Sequence, residues 1–173
     1  CQSWGRAFVQ PVVLRQDAGE EFVAWPTDRG LMFVGSINRK TETALSIRYM
    51  LTTSAGIAAR PSYLPSNPDL PGDPGLVITP SRDGFVHALN DWTGSALWRF
   101  STGEPILERV AIIGRSAYVS TQPGGMYRLN SKTGVQEWWT PQVKQFIAAS
   151  KDRIYAADKF GRMLVIDAQT GAR

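Results

Sequence analysis

The sequence predicts an all-β protein assembled from repeated four-stranded units, and three observations carry that prediction. First, one stretch recurs: Gly84 to Trp98 returns as Gly124 to Trp138 and again as Gly161 to Gly171. The pairs Thr93-Gly94, Thr133-Gly134 and Thr170-Gly171 lie 40 and then 37 residues apart. A period near 40 residues marks a repeat architecture. Second, aligned columns of the repeat place bulky side chains on both faces of a strand. Val86, Met126 and Met163 form one column, and Leu89, Leu129 and Ile166 another. Between them stand His87, Tyr127 and Leu164. Successive strand side chains point to opposite faces, so these strands are packed from two sides. Third, each unit carries the chemistry of a tight turn. Asn90, Asn130 and Asp167 can bond the backbone two residues on, and Gly94, Gly134 and Gly171 permit the positive φ that such turns often need.

Taken in order, residues 1–51 read as an N-terminal strand and a degenerate first unit. Trp4 precedes Pro11 by the same seven positions that separate Trp98 from Pro105, so Trp4 is expected to end a strand. Phe22 to Trp25 and Leu31 to Val34 read as two strands joined through Gly30. Asn38-Arg39-Lys40 reads as a turn, and Ala44 to Leu51 as another strand. Residues 57–101 form the first clear unit, with runs at Ile57–Tyr63 and Leu76–Thr79 ahead of the motif and a strand ending at Trp98. Five prolines between Pro61 and Pro74 cannot donate to a sheet, which makes this segment a loop; Tyr63, Leu64 and Leu70 are expected to tack it to its own unit. Residues 105–140 repeat the scheme with Ile106–Ile113, Ala117–Ser120 and a strand ending at Trp138. Residues 143–173 begin it again with Val143–Ala149 and Ile154–Ala157. Four short strands per period is the form of a β-propeller blade, and about four blades are legible over 1–173.

The units resemble PQQ-like repeats, whose pattern is a Gly, an aliphatic strand ending in Asp or Asn, and then Thr-Gly-x-x-x-Trp. Gly84, Thr93, Gly94 and Trp98 match it, as do Gly124, Thr133, Gly134 and Trp138, and Gly161, Thr170 and Gly171. The resemblance spans roughly residues 57–171. It implies that each tryptophan docks between neighbouring blades and that the whole ring has seven or eight of them. On that pattern Thr170 calls for a Trp two positions after Arg173, so either further sequence follows or the strand around Trp4 completes the last blade. The family includes the BamB-type outer-membrane assembly lipoproteins and the quinoprotein dehydrogenases.

Composition narrows the function classes. With 173 residues and 43% apolar content the chain can bury one core. Its single cysteine, Cys1, excludes an intrachain disulfide and a Cys-cluster metal site. A cysteine at position 1 matches a processed bacterial lipoprotein, so Cys1 is the expected lipidation site; the alternative is that residue 1 is a fragment boundary. No catalytic group is expected. His87 is the lone histidine and aligns with strand residues. Glu20 and Glu21 are adjacent, so on a strand they face opposite ways. Gly124-Gly125 belongs to the repeat turn. The dehydrogenases use a vicinal Cys-Cys pair beside the quinone, which this chain lacks, so no cofactor and no metal are expected. Residues 128–173 hold eight Lys or Arg against four Asp or Glu, which reads first as ordinary solvated loops; the sharper reading is a basic rim facing an anionic partner such as phospholipid or lipopolysaccharide headgroups. The resemblance implies a non-enzymatic interaction scaffold in the bacterial periplasm or outer membrane. Its partners would be other envelope proteins and the membrane surface through the lipid on Cys1, with no nucleic acid. The alternatives are a fragment of a PQQ-dependent dehydrogenase and a ligand-sensing propeller.

Overall fold

A computed structural model describes residues 5–17, 20–38, 46–122 and 124–173. Among them, strands β1 (Val12–Asp17), β2 (Glu20–Pro26), β3 (Leu31–Asn38) and β4 (Ser46–Thr52) form a first antiparallel sheet in chain order. Strands β5 (Ser62–Leu64), β6 (Leu76–Pro80), β7 (Phe85–Asn90) and β8 (Ala96–Ser101) form a second. Strands β9 (Ala111–Ile113), β10 (Ser116–Thr121), β11 (Gly125–Asn130) and β12 (Gln136–Pro141) form a third. The fourth contains β13 (Gln145–Ala149), β14 (Arg153–Ala157) and β15 (Met163–Asp167). β5 touches both β1 and β9, so the sheets fan out from their first strands. This is a β-propeller arc of four blades.

Strand alternation makes the arc. In β6, Leu76 and Ile78 join Val86, Ala88 and Trp98 in a cluster shared with Ile106, Val110, Ala117, Val119 and Leu129 of the third blade. Val77 and Leu89 point the other way and pack with Phe22, Met32, Val34 and Ile57 at the first blade. Tyr118, Met126 and Trp138 in turn meet Ile154, Ala156 and Ile166 of the fourth. Every interior blade is thus buried on both faces, as the sequence columns require. The last blade's outer face shows what the columns do without a neighbour. Val86 and Met126 are fully buried, whereas the equivalent Met163 is 65% exposed.

Two expectations about strand limits are corrected. Trp98 and Trp138 do not end their strands; each is the third of six residues. The first run of each unit is also shorter than its apolar pattern suggests. Ile57, Ile106 and Val143 are fully buried, yet each precedes its strand. The reason is hydrogen bonding. Ile57 N donates to Thr27 O and Ile106 N to Ser81 O, both in the preceding blade's turn, so these amides cannot join the new sheet. The Pro-rich loop is held from two sides. Tyr63 and Leu64, expected in the loop, belong to strand β5; Tyr63 donates to its own blade's Asp91 and Leu64 packs against the core, whereas Leu70, expected to tack the loop down, is exposed. Lys132 of the third blade binds Asp73 Oδ2 at 2.8 Å and Pro74 O at 3.0 Å. Trp4 and residues 39–45 lie outside the described residues.

His87 sits in β7 opposite Thr79 and Arg99, half-buried, with a buried Nε2 that has no hydrogen-bond partner. Burial lowers its pKa from 6.5, and Asp83 only partly offsets this. The unfolded chain therefore takes up this proton first, and the contribution to stability is lost as pH falls below about 6.5. Denaturation midpoints of wild type are expected to drop over that window more than those of His87→Leu. Parallel pH profiles for the two proteins would remove His87 from this linkage.

Candidate functional site

The residues of the repeat signature converge on the seams between blades. Trp98 leans from β8 onto the third blade, where its indole Nε1 donates to Ser131 O at 3.2 Å. Trp138 does the same from β12 to Ala168 O at 3.1 Å in the fourth blade. Each ring lies on a glycine. A Cβ on Gly134 would stand 2.6 Å from the Trp98 ring, and one on Gly171 would stand 2.8 Å from that of Trp138. Both glycines also have positive φ, 71° and 74°, so a side chain there meets strain as well as the ring.

The turn beneath each ring is built the same way three times. Asn90 Oδ1 accepts from the amides of Trp92 and Thr93, Asn130 Oδ1 from Lys132 and Thr133, and Asp167 Oδ1 from Gln169 and Thr170. The glycine amide then donates to the carbonyl four residues back, from Gly94 to Asn90, Gly134 to Asn130 and Gly171 to Asp167. The hydroxyls of Thr93, Thr133 and Thr170 accept from the amides of Ser95, Val135 and Ala172 as the chain leaves the turn. For Asp167, these bonds from Thr170 and Gln169 hold the carboxyl below its ordinary pKa. Gly84, Gly124 and Gly161 lie in the turns that lead into β7, β11 and β15, all at positive φ.

Sequence reading missed the partner in the first seam. Tyr49 of β4 takes the place of the tryptophan. Its hydroxyl donates to Asp91 O at 3.0 Å, and a Cβ on Gly94 would meet its ring at 2.4 Å. Burial pushes its pKa up, with the Asp91 charge adding to the effect. Tyr63 donates to Asp91 Oδ2 at 2.9 Å, and burial and this bond raise its pKa to about 12. A β-bulge aims all three rings. Tyr49 pairs with Val34, Trp98 with Ala88 and Trp138 with Arg128, and the residue just before each ring (Arg48, Leu97, Glu137) is the one left unpaired. Bulges re-aim side chains in this manner.

The other end of each seam is a linker that crosses to the next blade. At the first two crossings Thr53 and Thr102 bond back to Gly30 O and Gly84 O at 2.9 Å each. The second blade's turn answers with Arg82 N on Gly56 O, and the third blade's with Gln122 N on Pro105 O. The third crossing differs. Gln142 holds the threonine's place, with its amide on Gly124 O and a left-handed φ of 61°. Thr102 precedes the buried anchor Ile106 by four positions, whereas Val143 follows Gln142 directly. The linker is three residues shorter, and a cavity of about 270 Å³ opens beside Gln142, Lys144, Lys159, Phe160 and Arg162.

Charge at the basic C-terminal half is divided between structure and surface. Arg128 pairs with Glu137 at 2.6 Å and also donates to Ala168 O, while Lys132 pairs with Asp73. Asp158 is buried, which raises its pKa, but bonds from Arg162 and Phe160 outweigh this and leave it below the ordinary value. Among the described residues no three His, Cys, Asp or Glu side chains group in a way that could hold a metal. No helix among them is long and apolar enough to cross a membrane. Cys1, the expected lipidation site, lies outside the described residues.

A propeller arc closed at each seam by an aromatic ring on a Thr-Gly turn defines a PQQ-like repeat protein. Residues 82–173, more than half of the chain, match the family described as outer membrane protein assembly factor BamB, and the chain belongs to that family. No curated protein matches it in sequence. Among solved structures it is similar to BamB from Moraxella catarrhalis, with a TM-score of 0.65 at 19% identity over 94% of this chain. It spans 49% of that chain, about half its length. It is also similar to the computationally designed Ika4 protein (TM-score 0.70, 12% identity, 94% of this chain and 91% of that one). Sqt1 from Saccharomyces cerevisiae matches with a TM-score of 0.62 at 16% identity, over 85% of this chain and 40% of its own.

Trp98→Ala and Trp138→Ala are each expected to cost about 3–5 kcal/mol, as large buried aromatics do. Tyr49→Phe, which removes only the bond to Asp91 O, should cost about 1 kcal/mol. Urea unfolding of the three variants checks this. A wild-type midpoint for either tryptophan variant would remove the ring from the seam.

Proposed function

We propose that this chain is a non-enzymatic interaction scaffold of the bacterial cell envelope. One observation carries the reading: three equivalent ring-on-glycine seams hold four blades, and with them the described turns and linkers on the rim, in one frame. A rigid frame with loops at fixed spacing suits a protein that binds others. Membership of the BamB family supports an envelope setting and partners among envelope proteins. Cys1 would carry lipid and hold the propeller at the membrane surface in the periplasm. Two or more acyl chains on that residue would anchor it firmly, whereas one alone would hold it only marginally.

Quinone chemistry has no matching residues here. The vicinal cysteine pair of the quinoprotein dehydrogenases is missing from a sequence with one cysteine, and a shared fold does not carry the activity with it.

Photo-crosslinking residues placed at rim positions 92 and 160 of the chain expressed in bacterial cells are expected to capture envelope proteins. Intact mass of membrane-extracted protein is expected to show acyl chains on Cys1. Crosslinks to cytosolic proteins alone, or none, would overturn the scaffold reading. Quinone-dependent dye reduction by the purified protein would favour the dehydrogenase instead.

A further inference from the structure

The third linker departs from the other two, and the departure creates a surface feature. At the earlier crossings the linker fills the seam's rim and is hydrogen-bonded to the next blade's turn, through Gly56 O and Pro105 O. Ser54 N also reaches Asp83 Oδ2 at 2.9 Å, and Glu104 Oε2 accepts from Thr121 Oγ1 at 2.6 Å. At the third crossing neither arrangement is made among the described residues. The place of Asp83 is taken by Phe160, which is 70% exposed, and the linker space is the cavity of about 270 Å³.

The chemistry of that cavity is one-sided. Lys144 enters from the linker, and Lys159 and Arg162 from the β14–β15 turn. Lys159 Nζ lies 5.0 Å and Arg162 Cζ 5.1 Å from the Phe160 ring centroid. The single carboxylate present, Asp158, is spent on the turn: it accepts from Phe160 N at 2.8 Å and binds Arg162 Nε at 2.7 Å. Gln142 is held in a left-handed conformation that non-glycine residues seldom adopt. Such backbone persists where the surroundings over-determine it and is enriched at binding surfaces. An exposed aromatic ring bracketed by cations above a concave site combines an apolar anchor with a field that selects negative charge.

We propose that this cavity is the docking point for an acidic segment of a partner protein. One or more carboxylates would enter beside Lys144 and Lys159, with Arg162 already paired to Asp158, and a neighbouring apolar side chain would rest on Phe160. The inference rests on the scaffold reading and adds to it the place and the chemistry of the contact. A membrane surface would also meet the cations. A headgroup plane, however, matches a concave site poorly, and the exposed ring is answered better by a side chain.

The probe is a short fluorescent peptide of glutamates flanking one leucine, with its glutamine counterpart as control, read by fluorescence polarisation against the whole chain. The glutamate peptide is expected to bind, to weaken as salt is raised, and to bind about tenfold more weakly to Lys144→Glu/Lys159→Glu. Phe160→Ala is expected to weaken it too. The glutamine peptide is expected not to bind. Both lysines are exposed, and Lys144→Gln/Lys159→Gln gives the same test if the reversed charges disturb the melting transition. Equal binding of both peptides, or binding indifferent to these variants, overturns the proposal. So does binding of phosphatidylglycerol vesicles, lost in the same variants, without binding of the peptide. If crosslinks to envelope proteins form at position 92 but the glutamate peptide does not bind, only this inference fails. If none form at any rim position, the scaffold reading fails with it.

Discussion

Everything in this protein depends on an aromatic ring lying flat against a backbone that has no Cβ. A blade is a thin, twisted sheet with two apolar faces, and hydrophobic burial alone lets two such faces slide. The ring fixes their relative position. Trp98, Trp138 and Tyr49 each reach across to a glycine at positive φ, and each donates its one polar hydrogen to the carbonyl three residues before that glycine. The contact is therefore steric, polar and conformational together. A larger residue at the glycine would lift the ring, and a ring without a donor would leave a buried carbonyl unpaired, which costs about 1–3 kcal/mol.

The lock also explains why the rim can vary. Once the seams hold the blades, the linkers at their other end are free to differ in length. Two of them are closed by threonine hydroxyls and turn amides. The third is shorter, replaces threonine with a left-handed Gln142, and leaves a basic cavity beside an exposed Phe160. A departure from the repeat at a position where the fold does not need it is where a binding feature can be placed without weakening the core.

Much of this was legible in the sequence because the turn is encoded locally. Asn or Asp, then Thr-Gly three and four residues on, writes the turn directly, and the tryptophan stands at a fixed distance after it. Tyr49 was not legible, because the first blade's own turn region lacks the Thr-Gly pair and the partner glycine, Gly94, belongs to the next blade. The strand position of the tryptophans escaped for a related reason: the bulge that sets them mid-strand leaves no residue signature. Ile57, Ile106 and Val143 read as strand because they are apolar and sit beside strands, whereas the amides of Ile57 and Ile106 are committed to the preceding blade. The cavity rests on a length difference of three residues between linkers, which appears in the sequence only as the shortening of the period from 40 to 37. Its consequence needed the fold.

A double-mutant cycle on Trp98 and Gly134 tests the ring-on-glycine lock most directly, with Gly103→Ala as the reference. Gly103 has nearly the same positive φ as Gly134 but open space around its would-be Cβ, so its substitution reports backbone strain alone, on the order of 1 kcal/mol. Gly134→Ala is expected to cost clearly more than that in wild type and to fall to about the same value once Trp98 is Ala, a coupling of about 1 kcal/mol or more between the two sites. Strictly additive effects would mean that the glycine serves only the turn and that the ring does not depend on it.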